Sequence, residues 1–540
     1  MTDATGSDYL LDALESEGVT DLFGLIGEGN AHLLDRTHDY SVQYRYARHE
    51  QVAVGMADGY ARVTGSVGVC TLTHGPGLTN GVTSIAAADR DGVPLVILVG
   101  DTDREGRETS LQYLDHRALA NPIDVYGTRV ETSGDLPRAI RAAFDAARTR
   151  SGPALVEVPG DIQRGNAPGS TYRPKPRATQ RVRPDPDRLA EAATVLDDAD
   201  APGILIGGGA THSGAADAVV SLADHLGAPV FSTYFAKGLL RDDYPLHAGI
   251  AGTFMTPAAD ELIWDVDALL AVGARLSGKS TRYGELFADA EIVQIDLDRG
   301  ALGTYRDPTV GLVGDARAAC GTLADRVEAA PERTERIRAA IEAADDPADL
   351  PTETAPERVD PREVCLALAE RFPDDGTVTI DSGNNTGFPA LFHPLGRGGR
   401  MLVNGNFGTM GYALPAALGA AVAEREPVCC YTGDGAFLQV VQDVETAVRL
   451  SLPVCIVVLN DESYGIIRHR QRMEYGRETA ASYGGPDLAA TARGLGADAA
   501  TVRSIGDLDV VDDFLSKPDG PLVLDVRTIR DVTRPGFPPY

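Results

Sequence analysis

Asp434 and Asp461 lie 27 positions apart in the stretch GDGAFLQVVQDVETAVRLSLPVCIVVLND, residues 433–461. Two carboxylates that converge offer hard oxygen ligands, the donor set Mg2+ prefers. Gly433 and Gly435 flank the first of them. Glycines let the backbone approach a ligand, and a helix opening after such a turn aims its free N–H groups at an anion. These residue types suit a metal held beside a diphosphate. They suit equally an N-cap aspartate, with Asp461 as a turn residue. The elements in between must decide.

Residues 428–432 read as a strand, and a helix carries Phe437, Val441, Val444, Glu445 and Val448. Residues 453–459 read as the next strand, with Asn460 and Asp461 at its carboxyl end. A right-handed crossover between neighbouring parallel strands brings their carboxyl ends together. Ligands of open α/β sheets bind at that edge. Asp434 and Asp461 are therefore expected to meet.

The same alternation of strand and helix runs through the chain, which predicts α/β architecture with parallel sheets. Two stretches without apolar periodicity, residues 166–188 and 343–361, read as exposed connections. They predict three domains, 1–165, 186–342 and 359–540. Residues 68–101 and 426–461 share an order of strand, glycine turn, helix, and a strand introduced by proline. That echo suggests two similar βαβ domains, although any two such units look alike. In the middle block, Gly207-Gly208-Gly209-Ala210-Thr211-His212 does not complete a dinucleotide fingerprint. The block reads as scaffold first.

A chain of 540 residues is too long for one core. Its formal net charge is −30, and only four of its 49 basic residues are lysine. A surface this acidic excludes a nucleic-acid-binding role, which needs a basic face. It self-repels unless salt screens it, so a salt-rich cytoplasm is expected. No apolar run approaches the length of a membrane span. No basic, apolar secretory leader opens the sequence. The six cysteines show no CxxC spacing and read as buried free thiols of a reducing compartment.

The Gly-Asp-Gly turn with Asn460-Asp461 resembles the thiamine-diphosphate motif of the acetolactate synthase, pyruvate oxidase and 2-oxo acid decarboxylase superfamily. Residues 46–65 (YARHEQVAVGMADGYARVTG), 73–81 (THGPGLTNG) and 404–423 (NGNFGTMGYALPAALGAAVA) resemble further segments of it, in the same order. Residues 381–389 (DSGNNTGFP) match its diphosphate-contacting loop loosely. The resemblance implies pyrimidine-binding, central and diphosphate-binding domains, each with a mostly parallel sheet flanked by helices. It implies Mg2+ held by Asp434, Asp461 (where Asn is usual) and the main-chain carbonyl of Ser463. Gly383, Asn384, Gly435, Ala436 and Ile466 fall at cofactor-contacting positions. Gly408 would accept from the 4′-amino group through its carbonyl, and Met410 would wedge between the two rings. Glu50 falls at the essential glutamate, which gives a proton to the aminopyrimidine.

Gln112 aligns with a glutamine lining the site of acetolactate synthases. His74 lies in a loop that faces substrate in some relatives, and fits proton transfer or a satisfied loop position. Ile467, His469 and Arg470 follow the metal motif, Arg470 as a carboxylate partner or a solvated side chain. The family builds each site between the first domain of one subunit and the third of another, which implies a homodimer or homotetramer. The expected activity is decarboxylation and carboligation of 2-oxo acids. A simple decarboxylase and an FAD-bearing oxidase are the alternatives. Arg470 stands where Trp is common, and Gly273-Ala-Arg-Leu-Ser-Gly-Lys departs from the Asp-Asp-Arg stretch of anabolic synthases, so FAD is not favoured.

Overall fold

A computed structural model describes residues 4–534 apart from 121, 122, 124 and 177–180. Part of the first expected connection and the last six residues of the third expected domain thus lie outside the described residues. Among the described residues, eighteen strands form three six-stranded sheets, all parallel. The first holds β1 (Asp21–Gly24), β2 (Gln43–Tyr46), β3 (Gly68–Leu72), β4 (Leu95–Asp101), β5 (Tyr126–Arg129) and β6 (Pro153–Pro159). The second holds β7 (Pro202–Ile206), β8 (Val230–Ser232), β9 (His247–Ile250), β10 (Ala268–Val272), β11 (Glu291–Asp296) and β12 (Val310–Val313). The third holds β13 (Thr377–Ile380), β14 (Arg400–Val403), β15 (Val428–Gly433), β16 (Val454–Asn460), β17 (Asp498–Val502) and β18 (Leu522–Arg527).

The first sheet runs β2-β1-β3-β4-β6-β5 and the third β14-β13-β15-β16-β18-β17, the same order from a shared pattern. The echo seen in the sequence is thus an echo of topology. The central sheet, β12-β11-β10-β7-β8-β9, has the doubly wound order instead. Central strands such as β3, β4, β7 and β16 are buried along their whole length. Covered by helices on both faces, they read as continuous apolar runs rather than alternating ones.

The first and third domains share one apolar core, which runs from Phe23 and Val54 to Leu414, Phe437 and Val454. At its centre the helix Glu50–Thr64 crosses the helix Ala413–Glu424. A Cβ on Gly59 would stand 2.1 Å from the carbonyl oxygen of Ala416, and one on Gly419 2.0 Å from that of Met56. Only glycine allows so close an approach at these positions. Buried polar groups tie the same surfaces: Arg62 bridges Asp58 (2.7 Å) and Asp91 (2.9 Å), and the Tyr412 hydroxyl donates to Asp58 at 2.9 Å.

One expectation needs correction. The single helix expected after Gly435 is three pieces, Asp434–Val440, a 3-10 turn Val441–Asp443, and Val444–Arg449. The break falls at buried Asp443, whose Oδ1 accepts from the Arg48 N–H at 2.7 Å and from the Thr446 hydroxyl at 2.8 Å. A tie to the first domain outweighs continuation of the helix. All six cysteines are buried and free. Among the described residues no helix is long and apolar enough to cross a membrane.

Candidate active site

β15 and β16 are neighbours, with Gly433 opposite Leu459 in register. Asp434, the first residue of its helix, and Asp461, just past the end of β16, therefore reach the same sheet edge. Both line a cavity of about 400 Å³. Both are buried, at 3% and 8% exposure. Burial pushes the Asp434 carboxyl up to about 7, and the Asp461 charge pushes it the same way. Burial also raises Asp461. Two acids held toward neutrality in one pocket are what a divalent cation would reverse. The Tyr483 hydroxyl donates to Asp434 Oδ2 at 3.0 Å, and the Ser463 N–H to Asp461 Oδ1 at 3.0 Å. Ser463 lines the same cavity.

Gly383, Asn384, Gly408, Met410, Gly435, Ala436 and Ile466 line it too. Asn384 is fixed at both ends of its amide: it donates to the Val532 carbonyl at 3.1 Å and accepts from the Arg534 N–H at 3.0 Å. The loop bearing Gly408 and Met410 hangs on two side chains that the sequence did not single out. Asn404 Oδ1 accepts from the N–H of Gly408 (2.9 Å) and of Thr409 (3.2 Å). Its amide in turn donates to Asp91 Oδ2 at 2.9 Å. Asp381, fully buried, accepts from the N–H groups of Gly411, Tyr412 and Ala413 and from the Thr432 hydroxyl. The central domain also reaches the cavity, through Tyr234, Thr253, Phe254, Lys279 and Tyr283. Lys279 Nζ donates to the Gly405 carbonyl at 3.1 Å. A block expected to be scaffold thus builds one wall.

The first domain gathers its own candidates at the carboxyl edge of β3. Glu50, 7% exposed, is the first residue of its helix, and Asn80 Nδ2 donates to its Oε2 at 3.0 Å. Arg48 pairs with Glu445 at 2.6 Å rather than with Glu50. Glu50 Oε1 would stand 3.6 Å from a Cβ on Gly77, in the first turn of the helix that follows the His74 loop. His74 is buried, which lowers its imidazole. Gln112 is exposed, and its carbonyl packs against Gly75. None of Glu50, His74 and Gln112 lines the cavity of the same copy. Ile467 lines it, whereas His469 and Arg470 do not, and Arg470 pairs with Glu474 one turn on at 3.4 Å.

The glycine run of the middle block serves packing. Cβ atoms on Gly207 and Gly209 would stand 2.4 Å from the carbonyl oxygen and 2.8 Å from the Cα of Gly273.

Three family matches cover most of the chain. Residues 4–126 match the N-terminal TPP binding domain of thiamine pyrophosphate enzymes, residues 189–323 the central domain, and residues 381–526 the C-terminal TPP binding domain. An acetolactate synthase of Arthrospira platensis is 32% identical, over 98% of this chain and 94% of its own length. An acetolactate synthase large subunit of Parasynechococcus marenigrum is 33% identical, over 92% of this chain and 82% of its own length. A probable acetolactate synthase large subunit of Methanocaldococcus jannaschii is 31% identical, over 92% of this chain and 88% of its own length.

Proposed function

The chain belongs to the thiamine pyrophosphate enzyme family, and from that premise we propose an acetolactate synthase-like enzyme that decarboxylates and carboligates 2-oxo acids. One observation carries the proposal: Asp434 and Asp461, both buried, meet in a cavity lined by Gly383, Asn384, Gly408 and Met410. This donor set of hard oxygens fits Mg2+, and glycine-rich loops beside it fit a diphosphate.

Asp434, Asp461 and the Ser463 carbonyl would hold the metal. Gly383, Asn384, Gly435, Ala436 and Ile466 would contact the cofactor around it. The Gly408 carbonyl would accept from the pyrimidine amino group, and Met410 would pack against the cofactor rings. When bound, thiamine diphosphate supplies a nucleophilic carbon and an electron sink. Glu50 gives a proton to the pyrimidine nitrogen, and Asn80 orients its carboxyl for that transfer. Gln112 and His74 face the substrate. Burial lowers the His74 imidazole and so favours its neutral form.

Glu50 does not line the cavity of its own copy, which supports a site shared across copies in a homodimer, a contact that a tetramer would repeat. Exposed apolar side chains beside the two half-sites suit that contact: Ile26 and Leu111 on the first domain, Tyr464 and Ile467 on the third. The acidic composition and the free thiols support a salt-rich, reducing cytoplasm as its setting.

A panel of 2-oxo acids, with thiamine diphosphate and Mg2+ in high salt, tests the activity by CO2 release and product identity. Acetolactate from pyruvate is expected, from a colourless protein. Aldehyde alone would replace carboligation with simple decarboxylation. No CO2 from any acid, together with no cofactor binding by calorimetry, would overturn the proposal.

A further inference from the structure

Beside the first-domain candidates lies a buried cluster outside the cavity. Asp101, His116 and Glu157 are each at most 1% exposed and point donor atoms at one another. The spacing would admit a cation, but two guanidiniums already fill that role. Arg107 lies 3.1 Å from both Asp101 and Glu157, and Arg129 lies 3.2 Å and 3.1 Å from the same two acids. Two buried carboxylates thus face two guanidiniums, and Arg129 also lies 3.7 Å from Glu131.

His116 faces two ways. Its Nε2 accepts the N–H of Gly75 at 3.0 Å, and its Nδ1 lies 3.4 Å from Glu157 Oε2. A ring nitrogen that accepts carries no proton, so the proton of the neutral ring sits on Nδ1. The Gly75 N–H fixes that tautomer, and the Glu157 carboxylate lies near Nδ1 without a hydrogen bond to it. Gly75 is held in a conformation only glycine adopts readily (φ 56°, ψ −110°), and a Cβ on it would stand 2.3 Å from the Gln112 carbonyl oxygen. The loop is thus clamped between the His116 ring and the Gln112 backbone. His74 precedes Gly75 directly. The helix Pro76–Asp91 follows it and carries Asn80, the donor to Glu50.

We propose that His116, by accepting the Gly75 N–H through Nε2, is a positioning residue for the reaction: it locks the Gly75 loop and, through it, His74, Gln112 and the Asn80–Glu50 pair. This rests on the function proposed above for those side chains. His116 touches neither substrate nor cofactor. Its effect is on turnover, because misplacing a reacting group by about 1 Å costs on the order of 100-fold in rate.

The test uses full-length His116→Phe, His116→Gln and His116→Asn with cofactor and Mg2+ in high salt. A glutamine places an oxygen where Nε2 stood and still accepts from Gly75; asparagine is too short, and phenylalanine offers no acceptor. Turnover should fall on the order of 100-fold in the Phe and Asn variants, with KM and cofactor affinity little changed. The Gln variant should retain most activity. Hydrogen exchange of the peptide spanning residues 73–80 should quicken in Phe and Asn but not in Gln. Should the Phe variant not fold, the Gln–Asn contrast decides. Equal loss in Gln and Asn, or wild-type turnover and exchange in Asn, overturns the proposal. If the wild type itself releases no CO2, the parent function fails, while the exchange contrast still decides whether His116 locks the loop.

Discussion

Asp381 Oδ1 accepts the backbone N–H of Gly411 at 2.9 Å, so one fully buried carboxylate past the end of β13 anchors the segment that carries Met410. Burial pushes that carboxyl from an ordinary value of 3.8 up to about 6. The native chain therefore binds the proton more firmly than the unfolded chain. Between these two values folding takes up a proton, so the group's contribution to stability is full below the lower value and is lost as pH rises toward the higher. Asp381→Asn keeps an oxygen acceptor and removes the titration. Between about pH 5 and pH 6, wild type should lose stability relative to this variant by roughly 1 kcal/mol. Urea midpoints at several pH values measure it, and parallel curves would sink the assignment.

Glu50→Gln keeps the side chain's size and one hydrogen-bonding oxygen. Cofactor affinity by calorimetry should be retained while CO2 release falls at least about 100-fold. Unchanged turnover would remove Glu50 from the proton transfer.

Asp461→Asn relieves the repulsion that helps to raise Asp434. The cofactor-free protein should melt higher, and Mg2+-dependent cofactor binding should weaken, because one negative ligand is lost. Thermal scans without and with Mg2+ and thiamine diphosphate read both effects. A melting point lowered in both conditions would contradict them.

Gly59→Ala puts a methyl group 2.1 Å from a backbone oxygen that has no room to retreat. A cost of about 3 kcal/mol or more is expected, with loss of folded yield at moderate temperature. The exposed Gly169, with nothing within 4 Å of a Cβ, is the control and should tolerate alanine.

A chain with net charge −30 should gain thermal stability as KCl rises from about 0.1 M to about 2 M, since the screening length shrinks from about 10 Å to below about 3 Å. A midpoint that falls with salt would argue against adaptation to a salt-rich cytoplasm.

The sequence made the meeting of Asp434 and Asp461 at one sheet edge legible because both signals are local. Asp434 follows a strand and a glycine, Asp461 ends the next strand, and the crossover rule joins them. Gly408 and Met410 were legible only through resemblance, since nothing in their spacing specifies a cofactor. Asp381, Asn404 and Asp91 were not legible at all. Each is a single polar residue without periodicity, and their partners lie as far as 313 positions away, as between Asn404 and Asp91. Lys279 and Tyr283 were missed for the same reason: a wall built by a separate sheet becomes visible only when the sheets are assembled. His116 stands four residues after Gln112, yet its role depends on the Gly75 N–H, 41 positions away.

The helix Glu50–Thr64 behaves as an axle between the two sheets of like order. Its first residue sits with Asn80, while its flank is pinned by contact with the helix directly after the Met410 loop. Because no slack exists at Gly59 or Gly419, a shift at either end is handed on rather than absorbed. In the homodimer proposed above, each copy would deliver its acid to a neighbour in a position set by the geometry of its own cavity.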